Sequence, residues 1–568
     1  MNSQMCSKRP INFTDLIALL TNTVTLISQG AIIVLITISL TKIINFFRFV
    51  YQFKHLPQER TNFFLGDLYR LVLRSSWKNF SPFTTKSTNQ SKSTPLKDTT
   101  DYFISRRNRA KSGIGVLWLG WFPIVWCLDY KSAQVILSSR RHINKGRFYK
   151  LIAPFMRDGL ITSKGEKWRQ RRRLIGPAFT TTIISQFIPL MVNNASILVK
   201  SVGKSSSGVN IVDCIHLTSM DIICQTAMGI SPEAQIKPSS LIVQAVTWMT
   251  KELAQRIYNP FLWADLIFKE SPMGQSFIQH FANFENFTNS IINSKLSNNR
   301  LKSDHFPESR SNANEHQPNL EDHKLNLDKG RKAFLDLLLE KHLQPEAISG
   351  KPIIDLNGVH EEINTFLFAG YETTGTAIMW TLYLLGFHSN VQDKIYSEIT
   401  SIFGDDIFNP TYDQIQRLTY LEQCIKEGLR LFPPVPMIAR ELEEDVIIDG
   451  YKVPNGTTIA IMIYTIHRDS SIYPKPDEFN PNRFDIDNIS SIPAYAYIPF
   501  SAGPRVCIGQ RFAYIEMKII LSFLINSYHI VSTKPLDEIP YEFEVTIRPK
   551  VPLIVKFIPR NDKINCSL

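Results

Sequence analysis

The decapeptide FSAGPRVCIG at residues 500–509 constrains this chain more than any other segment. Its one cysteine, Cys507, follows a turn-forming Gly-Pro pair and the fixed cation of Arg505, and Gly509 separates it from a long apolar helical stretch. A cysteine at a helix start lies near free backbone N–H groups and the positive end of the helix dipole, which favour thiolate over thiol. Glycine lets the backbone approach a flat partner, and arginine suits a carboxylate. The decapeptide therefore predicts a thiolate metal ligand with a cation placed for a carboxylate.

A thiolate for iron and a cation for a propionate are what a haem requires. The decapeptide resembles the haem-binding signature of the cytochromes P450, Phe-x-x-Gly-x-Arg-x-Cys-x-Gly. It matches at every fixed position: Phe500, Gly503, Arg505, Cys507 and Gly509. The resemblance implies haem b held by the Cys507 thiolate, with Arg505, Phe500 and Gly509 in the binding site. It also implies a mainly α fold with small β-sheets (α+β), a triangular helical domain behind an N-terminal transmembrane helix. The alternative is a loop cysteine that merely precedes a helix.

Composition limits the class of protein. The chain has 568 residues, 44% of them hydrophobic, so it can bury a large core. Length alone suggests roughly three or four domains, but the motifs converge on one site, and we expect a single catalytic domain over 51–568. The 7 cysteines lack C-x-x-C spacing, which disfavours a zinc site and suits a reducing compartment. The net charge is +12 without a nucleic-acid motif, which favours an anionic membrane or an acidic electron donor as partner.

Residues 1–50 are predicted to form a membrane anchor with short flanks. The chain is uncharged from Leu16 to Thr41, which is long enough to cross a bilayer. Lys42 and Arg48 follow that stretch, with further basic residues after them, whereas Lys8 and Arg9 alone precede it, a bias that puts the C-terminal side in the cytosol. The resemblance adds the endoplasmic reticulum membrane. The alternative is a cleaved signal peptide, against which the segment's length and the lack of a small-residue cleavage site argue.

The rest of the chain is predicted to be mainly helical with a few strands. Residues 84–100 are rich in Ser and Thr and residues 301–333 are highly charged, so both are predicted to be flexible insertions. A hairpin around an Asp-Gly turn is expected over Asp445–Val453. A further strand is expected over Thr457–Ile463, and a last hairpin within Tyr541–Ile558.

Residues 360–388 are predicted to form one buried helix, about 43 Å long. An acid and hydroxyls in its middle cost several kcal/mol unless they are satisfied or needed, and Gly370 favours a local kink. The Ala-Gly-x-acid-Thr string resembles the oxygen-activation motif of the same family. That resemblance implies that Thr373 donates a hydrogen bond during oxygen activation, that Glu372 relays protons, and that Ala369, one turn from Thr373, faces the iron. The alternative is a Ser/Thr-rich kink without chemistry.

Two further motifs match the family. Glu427 and Arg430 share a helical face and match its Glu-x-x-Arg, and Arg483 lies in the partner segment downstream. The resemblance implies a buried structural network of these three residues; alone, the pair suggests a surface ion pair. His467, in an HRD segment, is predicted to be scaffold and not an iron ligand.

Trp168 and Arg172, four residues apart, match the family pair that binds a haem propionate, and Arg440 is a second propionate candidate. The neighbouring arginines of the same helix are predicted to form a solvated face that docks an acidic redox partner: Arg169, Arg171 and Arg173.

Three segments resemble family four, the fatty-acid ω-hydroxylase branch: 219–229, 361–374 and 494–513. Many members of that branch carry a glutamate that can esterify the haem where this chain has Ala369, so no ester bond forms from this position. The FAGYETT string also resembles the xenobiotic and steroid branch, which leaves the substrate open.

The sequence therefore predicts a membrane-bound haem-thiolate monooxygenase that inserts one oxygen atom of dioxygen into a lipophilic substrate, foremost a fatty acid at its ω end. Electrons are expected from NADPH through NADPH-cytochrome P450 reductase, with cytochrome b5 as a second candidate donor and no nucleic-acid partner. Two other readings stay open. One is a reductase-independent isomerase of lipid peroxides, against which Thr373 and Glu372 argue. The other is a haem sensor or carrier without catalysis.

Overall fold

The structure is a computed structural model that describes residues 13–58, 66–67, 112–120, 122–205, 207–303, 332–345, 350, 352–404 and 406–560. The predicted insertion at 84–100 lies outside the described residues, as does 301–333 except for its two ends. Helices dominate the described chain. They are α1 Phe13–Tyr51, α2 Tyr130–Leu137, α3 Ala153–Met156, α4 Gly165–Ile175, α5 Thr181–Ser185, α6 Ile188–Val202, α7 Ile211–Ile223, α8 Leu241–Tyr258, α9 Asp265–Glu270, α10 Pro272–Ser303, α11 Phe334–Leu343, α12 Leu356–Leu385, α13 Ser389–Phe403, α14 Tyr412–Gln416, α15 Thr419–Leu431, α16 Ile463–Ile466 and α17 Gln510–Ser527.

The strands form small sheets. They are β1 Ile114–Leu119, β2 Phe122–Cys127, β3 Val209–Asn210, β4 Ile438–Glu441, β5 Val446–Ile448, β6 Tyr451–Val453, β7 Thr458–Ile461, β8 Tyr528–Ser532, β9 Tyr541–Phe543, β10 Ile547–Pro549 and β11 Ile554–Pro559. The largest sheet has the order β1-β2-β7-β4, in which β2 and β7 run parallel. A second sheet has the order β3-β11-β8, and β5-β6 and β9-β10 are hairpins. The mainly α fold with small sheets is confirmed.

The β-rich zone agrees with the sequence where the pairing is local. Strands β5 and β6 form the expected hairpin, and Asp449 (φ 50) and Gly450 (φ 79) both take positive φ, as a two-residue turn of this kind requires. The predicted C-terminal hairpin within Tyr541–Ile558 is confirmed. Strands β9 and β10 pair with each other, but β11 pairs with β8 and β3, which are distant in sequence. Distant partners of this kind leave no local turn signal.

Helix α12 crosses the centre of the molecule. Its N-terminus lies at Leu356, because the Asp355 carboxylate accepts a hydrogen bond from the Gly358 N–H at 2.7 Å and caps the helix. Its first half belongs to an apolar cluster with α8, α10 and α11, and its second half belongs to the main cluster with α6, α15 and α17. The site therefore lies along a helix that joins two parts of the core.

Helix α12 is unbroken at Gly370, where the sequence favoured a kink. A Cβ at Gly370 would lie 2.5 Å from Ile223 Cδ1, so glycine is needed there for the close approach of α7. The observed bounds, Leu356–Leu385, also differ by three or four residues from the expected 360–388.

The N-terminal helix α1 contains a segment, Ala31–Tyr51, that is long and apolar enough to cross a membrane, and its side chains stay outside the core. Beyond it the chain turns back into the fold, because Phe53 and Leu56 are buried and Phe53 contacts Trp118 edge to face at 6.1 Å. Within the described residues, α1 is compatible with a single-pass membrane anchor.

Candidate active site

Cys507 lies in the loop that leads into α17. Its N–H donates to the Phe500 carbonyl at 2.9 Å, which closes the loop. Gly503 takes φ 69, and a Cβ there would lie 1.8 Å from the Leu137 carbonyl oxygen, so only glycine fits. The Cys507 side chain is exposed by surface area, although protein atoms surround it closely. We interpret this as a thiol that opens into an interior space.

Burial raises the pKa of the Cys507 thiol, although the Gly509 N–H, Arg172 and Lys145 act in the opposite direction. The Gly509 N–H at the helix start favours the thiolate, as expected, whereas desolvation of the buried sulfur favours the thiol and outweighs it. Binding to a metal cation would deprotonate the sulfur.

Arg505 is fixed by backbone carbonyls on three sides. Its Nε donates to Ile143 O at 2.8 Å, Nη1 to Leu160 O at 3.1 Å and Nη2 to Ser163 O at 2.6 Å. The guanidinium also lies over the Trp168 ring, 4.1 Å from its centroid. Burial, followed by the nearby Arg440, lowers the pKa of Arg505 to about 9. Trp168 therefore contacts Arg505 directly, a contact that the sequence did not indicate.

Further cations lie close to Arg505 and Cys507. Arg440 is 2% exposed and donates to the Ala439 carbonyl at 3.0 Å and to Ser501 Oγ at 3.3 Å. Burial lowers the pKa of Lys145, and Arg440 and Arg505 lower it further. Burial also lowers the pKa of Arg172, which the Cys507 sulfur opposes.

None of these cations forms an ion pair with a carboxylate within the part of the chain that the structure describes. Buried cations without counterions are costly, so the cluster fits an anionic ligand. Lys145 was missed from the sequence, because only the folded loops bring it near Arg440 and Arg505.

The middle of α12 presents a small, partly exposed face. Ala369, Gly370 and Thr373 are partly exposed although almost all of the surrounding helix is buried. Thr373 Oγ1 donates to the Ala369 carbonyl at 2.6 Å. Phe179 connects this helix to the cysteine loop, since its ring stacks on Phe366 of α12 at 5.3 Å and lies beside Gly509.

Glu372 points to a different part of the molecule. Its carboxylate accepts hydrogen bonds from Thr546 Oγ1 at 2.6 Å and Arg548 Nε at 2.8 Å, and a second contact to Arg548 Nη2 completes a bidentate ion pair with the β9–β10 hairpin. Burial opposes ionisation, but Arg548, His216 and Thr546 hold the pKa of Glu372 below its ordinary value. The proton-relay role of Glu372 stays a prediction, and its bonded partners lie on the hairpin.

Glu427, Arg430 and Arg483 contact one another. Arg430 donates to both Glu427 oxygens, at 2.7 and 2.8 Å, and Arg483 Nε donates to Glu427 Oε1 at 3.3 Å. Glu427 and Arg430 are fully buried, and Arg430 also donates to the carbonyls of His467 and Pro476. These bonds join α15 to the segment that precedes the cysteine loop. His467 Nε2 accepts from the Ile498 N–H at 2.8 Å, which fits its expected scaffold role.

The arginines of α4 do not form one solvated face. Arg169 and Arg173 are exposed, as expected. Arg171 is only 12% exposed and points to the start of α12, where it lies 3.6 Å from Glu361. Helical spacing could not reveal that a second helix covers Arg171.

Two apolar cavities adjoin α12 on a face that Thr373 does not line. One lies around Phe179, Ile223 and Phe366, and a smaller one lies around Ile223, Leu367 and Tyr371. Neither is lined by Cys507, so the thiol and the cation cluster define the site.

The residues of the site fit a haem. The chain supplies a sulfur ligand, an excess of buried cations that suits two propionates, and a helix face with small side chains that suits a flat ring. Cys507 would hold the iron. The propionate-binding residues would be Arg505, Arg440, Arg172, Trp168 and Lys145.

Comparisons with known proteins give the same answer. The sequence profile of the family described as "Cytochrome P450" matches residues 99–557. Cytochrome P450 4V2 of Homo sapiens is 38% identical over 448 residues, 78% of this chain and 82% of the relative. Cytochrome P450 4c3 of Drosophila melanogaster is 37% identical over 458 residues, 79% of this chain and 82% of the relative. Cytochrome P450 4d2 of the same fly is 36% identical over 439 residues, 76% of this chain and 84% of the relative.

The predicted family, fold and class of enzyme are thereby confirmed. The thiol of Cys507, the uncompensated cations around it and the profile match all indicate the same chemistry. This chain belongs to the cytochrome P450 family, is similar to family-four members, and is a haem-thiolate monooxygenase.

Proposed function

We propose that this protein hydroxylates fatty acids at or next to the terminal carbon, with electrons from NADPH delivered by a reductase. The observation that carries the chemistry is Cys507 beside buried cations that have no counterion among the described residues. The substrate class rests on the resemblance of residues 219–229, 361–374 and 494–513 to the ω-hydroxylase branch.

The bound haem would supply dioxygen activation and one-electron chemistry. The chain's own residues bind, orient and move protons. Arg505 is held ready for a propionate by the carbonyls of Leu160 and Ser163, so little ordering is needed when the haem binds. Thr373 carries a hydroxyl on the partly exposed face of α12, and release of its bond to Ala369 O would let this hydroxyl donate toward the substrate side.

Ala369 shapes the control of regiochemistry. Its methyl group cannot form an ester, so the haem would be held only by Cys507 and by charged contacts. A fatty acid would then be positioned by packing against apolar side chains. We therefore expect a mixture of products hydroxylated at the terminal carbon and at the carbon next to it.

The proposed location is the endoplasmic reticulum membrane, with α1 as anchor and the catalytic domain in the cytosol. The basic residues after the span and the net charge of +12 support this orientation. The exposed Arg169 and Arg173 on α4 suit an acidic electron donor, foremost NADPH-cytochrome P450 reductase, with cytochrome b5 as a second donor.

The test is product analysis by mass spectrometry. The full-length protein is reconstituted with a reductase and NADPH and is offered medium- and long-chain fatty acids together with steroids. We expect NADPH-dependent ω and adjacent hydroxy fatty acids, and none from the Cys507→Ala variant. Steroid or in-chain products would instead move the protein to a broader monooxygenase role, as the FAGYETT string allows.

Two further outcomes would identify the alternatives that do not need a reductase, namely an isomerase and a sensor or carrier. Consumption of lipid peroxides without NADPH would identify an isomerase. An intact carbon monoxide spectrum of thiolate-bound haem without any turnover would favour a sensor or carrier.

A further inference from the structure

The interface between α4 and the first turns of α12 contains buried polar atoms without partners. Glu362 is fully buried. Its Oε2 accepts from the Leu160 N–H at 3.1 Å, whereas no group among the described residues donates a hydrogen bond to Oε1. Arg171 Nε lies 4.0 Å from that oxygen, and Arg171 Nη1 has no hydrogen-bond partner in the described chain. The Thr365 hydroxyl, 2% exposed and one turn further along α12, also has none there.

The chemistry of these atoms fits water. Glu362 Oε1 accepts hydrogen bonds, Arg171 Nη1 donates, and the Thr365 hydroxyl does both, so a single anion or cation would satisfy only part of the set. Buried water typically makes about three hydrogen bonds to such groups. A Cβ at Gly159 would lie 2.2 Å from Thr365 Oγ1, so glycine is needed to leave that hydroxyl uncovered.

One end of this cluster meets solvent. Lys167 Nζ lies 2.9 Å from both Glu361 Oε2 and Asp158 Oδ2. The side chains of Lys167 and Asp158 are 37% and 56% exposed, whereas that of Glu361 is 5% exposed. Only the side chain of Lys167 therefore needs to move for water to reach the carboxylate of Glu361 at the start of α12.

The other end points along α12 to the active site. Glu362, Ala369 and Thr373 are separated by seven and four residues, which places them on one face of a helix, and Thr365 lies beside that line. The rise from Glu362 to Thr373 is about 16 Å. The two oxygens of Glu372, in contrast, are engaged by the β9–β10 hairpin.

We propose that protons reach Thr373 from the α4 end of α12, with Glu362 as the carboxyl group that takes them up and water bound at Arg171 and Thr365 as the carrier. This inference rests on the proposed monooxygenase function. Glu362 passes its proton through water to the Thr365 hydroxyl and onward to Thr373, which delivers it where dioxygen is reduced. The resulting Glu362 carboxylate regains a proton from solvent beside Lys167, so no oxidant or reductant is involved.

The surroundings of Glu362 suit this role. Burial raises the pKa of Glu362 to about 7. The Leu160 N–H, Arg171 and Lys167 stabilise the charged form, and the neighbouring Glu361 disfavours it. Asp355 lies 3.9 Å from Arg171 and weakens the effect of that cation. A carboxyl group that is half protonated near neutral pH can both accept and release a proton.

The first test measures coupling in the full-length haem-loaded protein with its reductase. It uses whichever offered substrate the wild type hydroxylates fastest. In Glu362→Gln and Thr365→Val we expect about a tenfold fall in product formed per NADPH, with hydrogen peroxide rising in its place. Thr365→Ser, which keeps the hydroxyl, retains the wild-type ratio. Glu340→Gln, which removes an exposed carboxyl on α11, also retains it.

Unchanged coupling in Glu362→Gln together with a loss in Glu372→Gln would overturn the proposal, because protons would then enter from the hairpin side. The carbon monoxide spectrum of every variant checks that the haem site is intact.

The second test needs no turnover. Infrared difference titration of the resting haem-loaded protein should show a carboxyl stretch that titrates near neutral pH, is absent from Glu362→Gln and persists in Glu340→Gln. Absence of that band from the wild type overturns the role of Glu362. If the wild type hydroxylates no substrate, the proposed function fails, and the infrared titration still decides whether Glu362 exchanges protons.

Discussion

Two groups of buried charges in this protein differ in how they are neutralised. Glu372 with Arg548 and Glu427 with Arg430 are paired within the chain, and their hydrogen bonds repay the loss of solvent. Arg505 and the cations near it have backbone or hydroxyl acceptors but no counterion among the described residues. The first group is neutralised within the chain, whereas the second suits neutralisation by an anionic ligand.

Removing one member of a buried pair should be costly. In Arg548→Met, Glu372 would remain buried without its cation, and we expect the free energy of unfolding to fall by about 3–5 kcal/mol. Denaturant titration of the haem-loaded protein measures the loss. The double variant Glu372→Gln/Arg548→Met should regain part of it. A loss no larger than that of Lys475→Met, which breaks an exposed pair, would contradict this expectation.

The same pair predicts a pH dependence of stability. The pKa of Glu372 lies below the ordinary value of 4.5 in the folded state, so its contribution is fully present above pH 4.5 and is lost as pH falls through the folded value. The difference in unfolding free energy between the wild type and Glu372→Gln should therefore be constant at neutral pH and shrink in acid. A difference that grows on acidification would mean that the carboxyl is protonated in the folded protein.

Arg505 should control retention of the haem. Lysine keeps the charge but cannot reach the Ile143, Leu160 and Ser163 carbonyls together, so we expect haem affinity in Arg505→Lys to fall about tenfold. Transfer of haem to an apo-globin acceptor measures the off-rate, and the exposed Arg173→Lys is the control. Equal rates in the two variants would remove Arg505 from the propionate site.

At the scale of elements, the close packing of α7 against α12 depends on the lack of a side chain at Gly370. The Cβ that Gly370→Ala adds would lie 2.5 and 2.6 Å from two Ile223 carbons, so we expect a loss of about 1–3 kcal/mol. Ile223→Ala alone leaves a cavity and should cost about 2–5 kcal/mol. The double variant should lose less stability than the sum of the two single losses, because the shorter side chain at position 223 makes room for the added Cβ. Additive losses in a denaturant double-mutant cycle would show that the helices do not meet at this point.

Local patterns predicted the elements better than their partners. The Asp-Gly turn and the buried helix α12 were both predicted from short-range signals, and each was confirmed. The predicted exposure of Arg171 was wrong, and the place of Lys145 in the cation cluster was missed. Both depend on which element covers the residue in the folded chain. The pairing of β11 with β8 and β3 was not predicted, because it also depends on elements that are distant in the sequence.

At the scale of the molecule, the candidate membrane span in α1 and the folded core meet at a definable boundary. The large apolar side chains of α1 from Ile32 to Ile44 are exposed, whereas Phe53 and Leu56 belong to the core with β1 and β2. Deleting residues 1–44 should move the protein from the membrane fraction to the high-salt supernatant with its carbon monoxide spectrum intact. Deleting residues 1–56 should in addition destabilise the haem domain. Equal stability of the two truncated proteins would show that Phe53 and Leu56 do not contribute to the core.

The ion pair between Glu372 and Arg548 also sets an order of events during synthesis. The two residues are 176 positions apart, so the centre of α12 leaves the ribosome long before the cation that neutralises it. Until then, burying Glu372 means burying an unpaired charge or a protonated acid, and the helix has reason to stay loosely docked and accessible to chaperones. The closing of the β9–β10 hairpin over Glu372 would thus be a late step that commits the nascent enzyme to its native core.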